Sequence, residues 1–276
     1  MTLSERNLFF KAGIVFCAVS AILTSAASFL TIPVYPEMGE SIGRPANFFL
    51  FLTGRLMESD YYAVHASLCA AVLFSLTGMI LIYLFFERTS APEIPYIAFF
   101  TVSFSFEVLR LILPLNEIYN FPSNYLLGTA RVLLFARYFS IFSLFTAGIC
   151  AAGFDMQKTR NAVLAIILAV LVITIGIPID IQTWDTSFNM VVGYDSMFRM
   201  IEAIAFITTV ISFLIAVNVR GSREYVYVAA GVTLAMAGRN IILGADNWIG
   251  PVLGILLLTL GTVLICTKLH KVHLWL

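Results

Sequence analysis

The chain predicts an all-α, polytopic membrane bundle of eight transmembrane helices. Three observations carry that prediction: 60% of the 276 residues are hydrophobic, only 12% are charged, and apolar runs recur from one end to the other. No polar block of domain size, about 50 residues or more, interrupts the pattern. The sequence therefore reads as one transmembrane domain, 1–276, and excludes a soluble catalytic, nucleotide-binding or nucleic-acid-binding domain within these residues.

A helix that spans a bilayer needs about 20 predominantly apolar residues, and eight such runs follow in order. The first, 8–34, comes after Arg6 and Lys11 and runs through the small-residue string SAAS, as a secretory signal would. Its apolar stretch exceeds the roughly 7 to 15 residues of a signal core, so it is expected to stay as a helix. The second run is 61–86. The third, 94–115, carries Glu107 and Arg110, and the fourth, 126–154, carries Arg131 and Arg137. The fifth, 162–181, contains Pro178 near its end, and the sixth, 197–219, carries Arg199 and Glu202. The seventh, 225–243, holds Arg239 in GRNIILG, and the eighth, 249–267, opens on a Gly250/Gly254 step suited to close helix packing. Proline and glycine inside spans, Pro33 and Pro178 among them, are tolerated where neighbouring helices satisfy the freed backbone.

Orientation follows the Lys and Arg residues between spans. With the N-terminus inside, the inner segments hold nine (Arg6, Lys11, Arg88, Lys158, Arg160, Arg220, Arg223, Lys268 and Lys271) and the outer loops two, Arg44 and Arg55. The outer loops are acidic, with Glu37, Glu40, Glu58, Asp60, Glu117, Asp180, Asp185, Asp195 and Asp246. Trp184 and Trp248 flank the outer surface and Trp275 the inner one, as interfacial aromatics do. Both termini are expected in the cytoplasm, and the protein in the cell membrane.

The two halves, 1–155 and 156–276, align as a duplicated four-helix unit. FLTIPVYPE parallels TIGIPIDIQ, Asp60 parallels Asp195, Arg88 parallels Arg220, and EVLRLILPLN around Arg110 parallels MAGRNIILGADN around Arg239. The offset falls from 145 (Pro33 to Pro178) to 129 (Arg110 to Arg239), a loop-sized drift. An even number of spans per copy gives a parallel repeat about an axis normal to the membrane.

Charge inside the spans points to a site. Arg110, Arg131, Arg137, Arg199 and Arg239 have only Glu107 and Glu202 as acidic company there. A charge at bilayer depth costs at least a few kcal/mol on insertion scales, so it is retained where it faces protein, water or a ligand. At about 1.5 Å per residue, all of them except Arg137 fall within roughly 10 Å of the outer helix ends, and Arg137 falls about 16 Å down its span. The inner half is expected to hold no charged residue, so the charges point to a pocket open to the outside.

Snorkelling to the headgroups is the structural alternative for Arg110, Arg131, Arg199 and Arg239. Glu107/Arg110 and Arg199/Glu202 are three residues apart, so each pair can neutralise itself within its own helix. Arg131, Arg137 and Arg239 have no such partner and are expected to face the lumen, while Asn240 is expected to point to another side of its helix. Guanidinium groups suit a carboxylate, a phosphate or an anionic lipid headgroup. Alternatively, the acidic outer loops fold into the bundle and close it.

The remaining features add little. His65, near the outer end of the second span, is the only histidine at membrane depth, too few for a metal or haem site. No metal or cofactor is expected. His270 and His273 belong to a basic interfacial tail, and Cys17, Cys69, Cys150 and Cys266 lack CxxC spacing and read as packing residues. Catalytic and nucleotide fingerprints are absent.

The sequence reads as a sensor or ligand-binding membrane protein that takes an anionic or amphiphilic ligand at Arg110, Arg131, Arg137, Arg199, Arg239, Glu107, Glu202 and His65 and signals through a separate protein partner. The alternatives are a transporter or flippase of an organic anion or lipid, for which Thr101, Ser103, Ser143 and Thr146 would line a route, and a structural subunit of a membrane complex. An enzyme using Glu107, Glu202 or His65 as acid or base ranks last.

Overall fold

A computed structural model describes residues 3–32, 56–87, 91–153 and 159–274. The expectations placed on Pro33, Glu37, Glu40, Arg44, Arg55, Arg88, Lys158 and Trp275 lie outside the described residues. Among the described residues the protein is all-helical apart from one small hairpin. In chain order it runs α1 (Leu3–Thr31), α2 (Tyr61–Phe86), α3 (Ile94–Ser103), a 3-10 segment (Phe104–Leu111), α4 (Ile112–Tyr119), α5 (Ser123–Ala151), α6 (Thr159–Gly176), β1 (Ile179–Trp184), β2 (Met190–Val192), α7 (Asp195–Arg220), α8 (Glu224–Leu243) and α9 (Ile249–Leu274).

Among the described residues, seven helical segments are long and apolar enough to cross a membrane, and α6 supplies a shorter apolar helix, Asn161–Gly176. Their outward faces agree with burial in lipid. On α1, Leu8, Val15, Ile22 and Phe29 repeat every seven residues and are 69%, 64%, 69% and 78% exposed, a stripe that water would not leave uncovered. Met200, Ile204, Ile207 and Ile211 form a similar stripe on α7.

Two boundaries depart from expectation for reasons visible in the chain. The fifth run ends as a helix at Gly176 rather than 181. Pro178 has no N–H to donate and disfavours helical backbone at Ile177, so the chain leaves the helix there and returns as the β1–β2 hairpin. The third run continues to Tyr119 but tightens to 3-10 geometry over Phe104–Leu111. Pro114 lies four residues beyond Arg110 and cannot make the α-helical bond to the Arg110 carbonyl. The Ile112 N–H reaches the Leu109 carbonyl, three residues back, closing the tighter turn.

Packing is closest between α8 and α9. A Cβ at Gly238 would stand 2.5 Å from the Leu258 backbone nitrogen, and one at Gly261 would stand 2.5 Å from the Ala235 nitrogen, so the two backbones touch. Gly254 meets Ile242 in the same way, placing the GxxxG step inside the bundle. Around this pair, α1 packs on α2, α5 joins α3 to α7, and α6 lies mainly on α5.

The end of the bundle where α1 begins and α2 ends is more polar than the sequence suggested. Arg6, 5% exposed, donates to the Phe86 carbonyl at 2.6 Å and closes the end of α2. Arg220 does the same for α5, reaching the Cys150 and Ala151 carbonyls at 3.3 Å. Glu93, at the head of α3, is fully buried between the Tyr225 hydroxyl at 3.4 Å and His273 Nε2 at 3.5 Å. Glu93 precedes the run 94–115 and is held below the membrane-spanning part of α3 by residues from α8 and α9. The tail that read as an interfacial segment continues α9, with Lys268 and Lys271 paired to Glu224 at 2.9 and 2.6 Å.

Candidate functional site

The site is built around Glu107. The 3-10 turn carries Glu107 and Arg110 inward, leaving them 1% and 2% exposed. Arg137 reaches across from α5 and grips the Glu107 carboxylate with both arms of its guanidinium, Nε to Oε1 at 2.9 Å and Nη2 to Oε2 at 2.7 Å. Arg110 touches the same carboxylate only at 3.5 Å. The expectation that Glu107 and Arg110 neutralise each other, leaving Arg137 without an acidic partner, is therefore corrected. A planar fork approaching from another helix makes two short charge-assisted bonds, and the i, i+3 neighbour makes one long one.

Arg239, on α8 and 2% exposed, extends the network. Its Nε donates to Ser140 Oγ at 3.2 Å and its Nη2 to the Arg137 carbonyl at 3.0 Å, both on α5. Its Nη1 donates to Asn240 Oδ1 at 2.9 Å, so Asn240 serves its neighbour and does not turn away from it. A void of about 10 Å³ among Glu107, Arg137, Ser140 and Arg239 has room for about one water.

The β1–β2 hairpin closes the network. Residues 185–189 form its turn, with Phe188 at φ +57°. Asp185 Oδ1 holds the turn by accepting from the Ser187 N–H at 3.0 Å, the Ser187 hydroxyl at 3.0 Å and the Asn189 N–H at 2.9 Å. The turn then offers neutral oxygens to the arginines. Ser187 gives its carbonyl to Arg110 Nη2, and Asn189 Oδ1 accepts from Arg137 Nη2 at 2.7 Å. Asn189 Nδ2 donates in turn to the Leu243 carbonyl of α8 at 3.3 Å. An outer loop does fold into the bundle, as the alternative reading of the acidic loops expects, but an amide and a carbonyl meet the guanidiniums while the carboxylate shapes the loop.

A second seam fixes the hairpin to the segments that precede α2 and α9. Asp246 Oδ2 accepts from the hydroxyls of Ser59 at 2.8 Å and Thr186 at 2.9 Å, and the Asp246 carbonyl accepts from the Asp60 N–H at 2.7 Å. Asp60 also caps α2 through Tyr62 N at 2.9 Å and accepts from the Trp248 indole at 2.6 Å.

Beneath the hairpin lies a cavity of about 370 Å³, within the range of small-molecule sites. Arg110, Arg137, Asp185 and Asn189 line one part of it, and Leu113, Leu133, Leu134, Phe188 and Met190 are among its apolar walls. Arg137 is 16% exposed at its side chain. Arg110 Nε is buried without a hydrogen-bond partner.

The other residues singled out from sequence do not line this cavity. Arg131 donates to the Thr174 and Ile175 carbonyls at 3.2 and 2.9 Å and closes the end of α6, a cation satisfying final carbonyls; its expected place in the lumen is corrected. Arg199 is exposed on α7, whereas Glu202, three residues on, is half-buried and within electrostatic reach of Arg239 and Arg137. His65 sits behind the hairpin, its ring 5.6 Å from that of Phe188. Its Nδ1 meets the Tyr61 carbonyl at 3.1 Å and its Nε2 the Thr31 hydroxyl at 2.9 Å, which satisfies a neutral imidazole and ties α1 to α2. Among the described residues no group of His, Cys, Asp and Glu is arranged to hold a metal ion. Cys17 completes a buried triad with Ser75 and Ser105 at 2.7 to 3.1 Å, joining α1, α2 and the 3-10 segment.

Sequence reasoning missed Ser187, Asn189, Ser140 and the shaping role of Asp185. A signal was present: Pro178 followed by IDIQTW and then the turn-forming residues of DTSFN reads as strand and turn rather than as membrane span.

No protein-family model and no solved structure matches the chain. It is similar to an uncharacterized protein of Treponema pallidum (strain Nichols), at 22% identity over 348 aligned positions covering 100% of both chains. The likeness runs the full length of both proteins and attaches no activity to the site described above.

Proposed function

We propose that this protein is a membrane sensor that takes an anionic or amphiphilic ligand from the outer side at Arg110 and Arg137 and passes the change to a separate protein partner. The cavity of about 370 Å³, walled by both arginines and by apolar side chains, carries this reading. The site sits on a break in a helix, and the Glu107–Arg137 grip links the 3-10 segment to α5. A mid-helix 3-10 stretch is a common location for a hinge, and the third span runs from this break to the buried Glu93 at the inner end. That gives occupancy a mechanical route to the inner face. The arrangement belongs with an eight-span bundle of two duplicated four-helix units in the cell membrane, both termini cytoplasmic.

Transport of an organic anion or lipid is the second reading. The observation favouring it is the discontinuous third span, since transporter sites are commonly built at broken helices.

The test is native mass spectrometry on protein released from nanodiscs, comparing wild type with Arg137→Gln and with Leu134→Trp, which fills the cavity and leaves the ion network whole. A bound anionic or amphiphilic species present in wild type and lost from both variants is the expected result. An empty wild-type protein, or a species kept by Leu134→Trp, overturns the reading.

A further inference from the structure

We infer that the β1–β2 turn is a built-in stand-in for the ligand: an oxyanion headgroup, carboxylate or phosphate, takes the Nη2 donors of Arg110 and Arg137 from Ser187 and Asn189 and lifts the hairpin off them. This gives the proposed site its switch and rests on that reading.

The turn meets the arginines as a headgroup would. It presents two oxygens to two guanidiniums, the Ser187 carbonyl to Arg110 Nη2 and Asn189 Oδ1 to Arg137 Nη2 at 2.7 Å. Both oxygens are neutral, and a charged oxygen makes a bond roughly twice as strong to the same donor. Arg137 and Asn189 both line the cavity, so an oxyanion entering there stands beside the bond it replaces. The grip of Arg137 on Glu107 joins α5 to the third span and does not involve the hairpin.

Charge makes ligand and hairpin exclusive. With the hairpin seated, Arg110 and Arg137 are balanced by Glu107 and Asp185, so the closed site has no surplus to draw an anion. Glu107 belongs to the third span, whereas Asp185 belongs to the turn. A turn that lifts takes Asp185 with it, and the two arginines then keep one carboxylate, leaving one positive charge for the oxyanion to answer. Arg239 on α8 and Glu202 on α7 add one charge of each sign and leave that count as it is.

The hairpin is built to leave. Two strands alone are marginal in water, and β2 is only three residues long. Phe188 in the turn and Tyr194, the residue before α7, both stand at φ +57°, where bulky side chains are seldom found. Neutral side chains tie the turn to its neighbours, Asn189 Nδ2 to the Leu243 carbonyl at 3.3 Å and the Thr186 hydroxyl to Asp246 at 2.9 Å. Since β2 ends at Val192 and α7 begins at Asp195, a displaced hairpin pulls directly on α7.

The experiment is equilibrium binding of radiolabelled decanoate and decyl phosphate to the full-length protein in phosphatidylcholine nanodiscs, with hydrogen exchange across 179–192 followed in the same samples. Saturable binding of a probe is expected to speed that exchange at least about tenfold and to leave α8 and α9 unchanged. Asn189→Ala, which removes a competing oxygen, is expected to tighten the probe about tenfold, the factor equivalent to one net hydrogen bond. Asn189→Asp offers Arg137 a carboxylate from the turn itself and is expected to weaken the probe at least about tenfold. Phosphatidylglycerol nanodiscs separate the sources of the headgroup: faster exchange there without a probe assigns it to a lipid, and faster exchange only on adding a probe assigns it to a free amphiphile. Slower or unchanged exchange with a probe bound, weaker or unchanged binding in Asn189→Ala, or wild-type affinity in Asn189→Asp is the signature of a ligand held beneath a seated hairpin. Any of these overturns this inference while leaving the ligand site in place. Absence of saturable binding by both probes, with exchange also unchanged in phosphatidylglycerol, overturns both this inference and the reading it rests on.

Discussion

The α8–α9 pair and the pairing of α5 with the third span use their glycines in opposite ways. Gly238 and Gly261 meet facing backbone so closely that a single added carbon would collide with it, and the two helices seal along their length. Gly128 on α5 is exposed and meets nothing within 4 Å, and the cavity opens where Thr129, Leu133 and Arg137 of α5 face Leu109, Arg110 and Leu113 of the third span. The sealed pair gains its adhesion from dispersion contacts and close backbone approach. The open pair is held by one carboxylate, three guanidiniums and a plug of neutral oxygens. Rigid packing and a polar clasp thus share one bundle, and the clasp is where a small free-energy change can move a helix.

The comparison breaks most readily at Glu107. Glu107→Gln leaves Arg110, Arg137 and Arg239 without their shared carboxylate at near-complete burial, and removing one partner of a buried ion pair costs about 3 to 5 kcal/mol. Reversible unfolding in mild detergent should show that loss; a cost below about 1 kcal/mol would mean that the clasp does not hold the open pair. On the sealed side, Gly238→Val places carbon against the backbone of Leu258 and Gly254, and overpacking of this kind costs about 1 to 3 kcal/mol. Wild-type stability in that variant would show that α8 and α9 separate more easily than their contact implies.

Two smaller changes sharpen the distinction. Asn189→Ala removes the bonds to Arg137 and to the Leu243 carbonyl, worth about 1 to 2 kcal/mol together. Hydrogen exchange should accelerate across 179–192 and leave α8 and α9 unchanged; uniform acceleration would place the hairpin among the rigid parts. Arg131→Met loses the cap on α6 and should cost about 0.5 to 1 kcal/mol. It should keep the species bound to wild type in the native mass spectrum, because Arg131 does not line the cavity; loss of that species would return Arg131 to the site.

Much of this protein is legible in its order of residues. Apolar runs near 20 residues mark seven spanning helices and most of an eighth, since the cost of placing a residue in lipid is local and nearly additive along a segment. The same reasoning identifies Glu107, Arg110, Arg137 and Arg239 as residues needing partners. It misplaces Arg131, because a long side chain near a helix end serves a carbonyl cap as readily as a lumen, and it assigns His65 to the site when Thr31 and Tyr61 already satisfy its ring. It also extends the fifth span through Ile179 and Ile181, where isoleucine suits a strand as well as a helix and Pro178 decides between them.

By itself the sequence determined a helical chain suited to a bilayer and an excess of buried positive charge that must be answered. Both follow from transfer free energies that each residue carries wherever it sits. Only the tertiary structure decided which arginine grips Glu107, that a hairpin turn supplies Ser187 and Asn189 to the clasp, and that a cavity remains between the third span and α5. Those outcomes turn on a few tenths of an ångström between side chains distant in sequence, and hydrogen bonds and steric contacts change over that range while composition and periodicity do not.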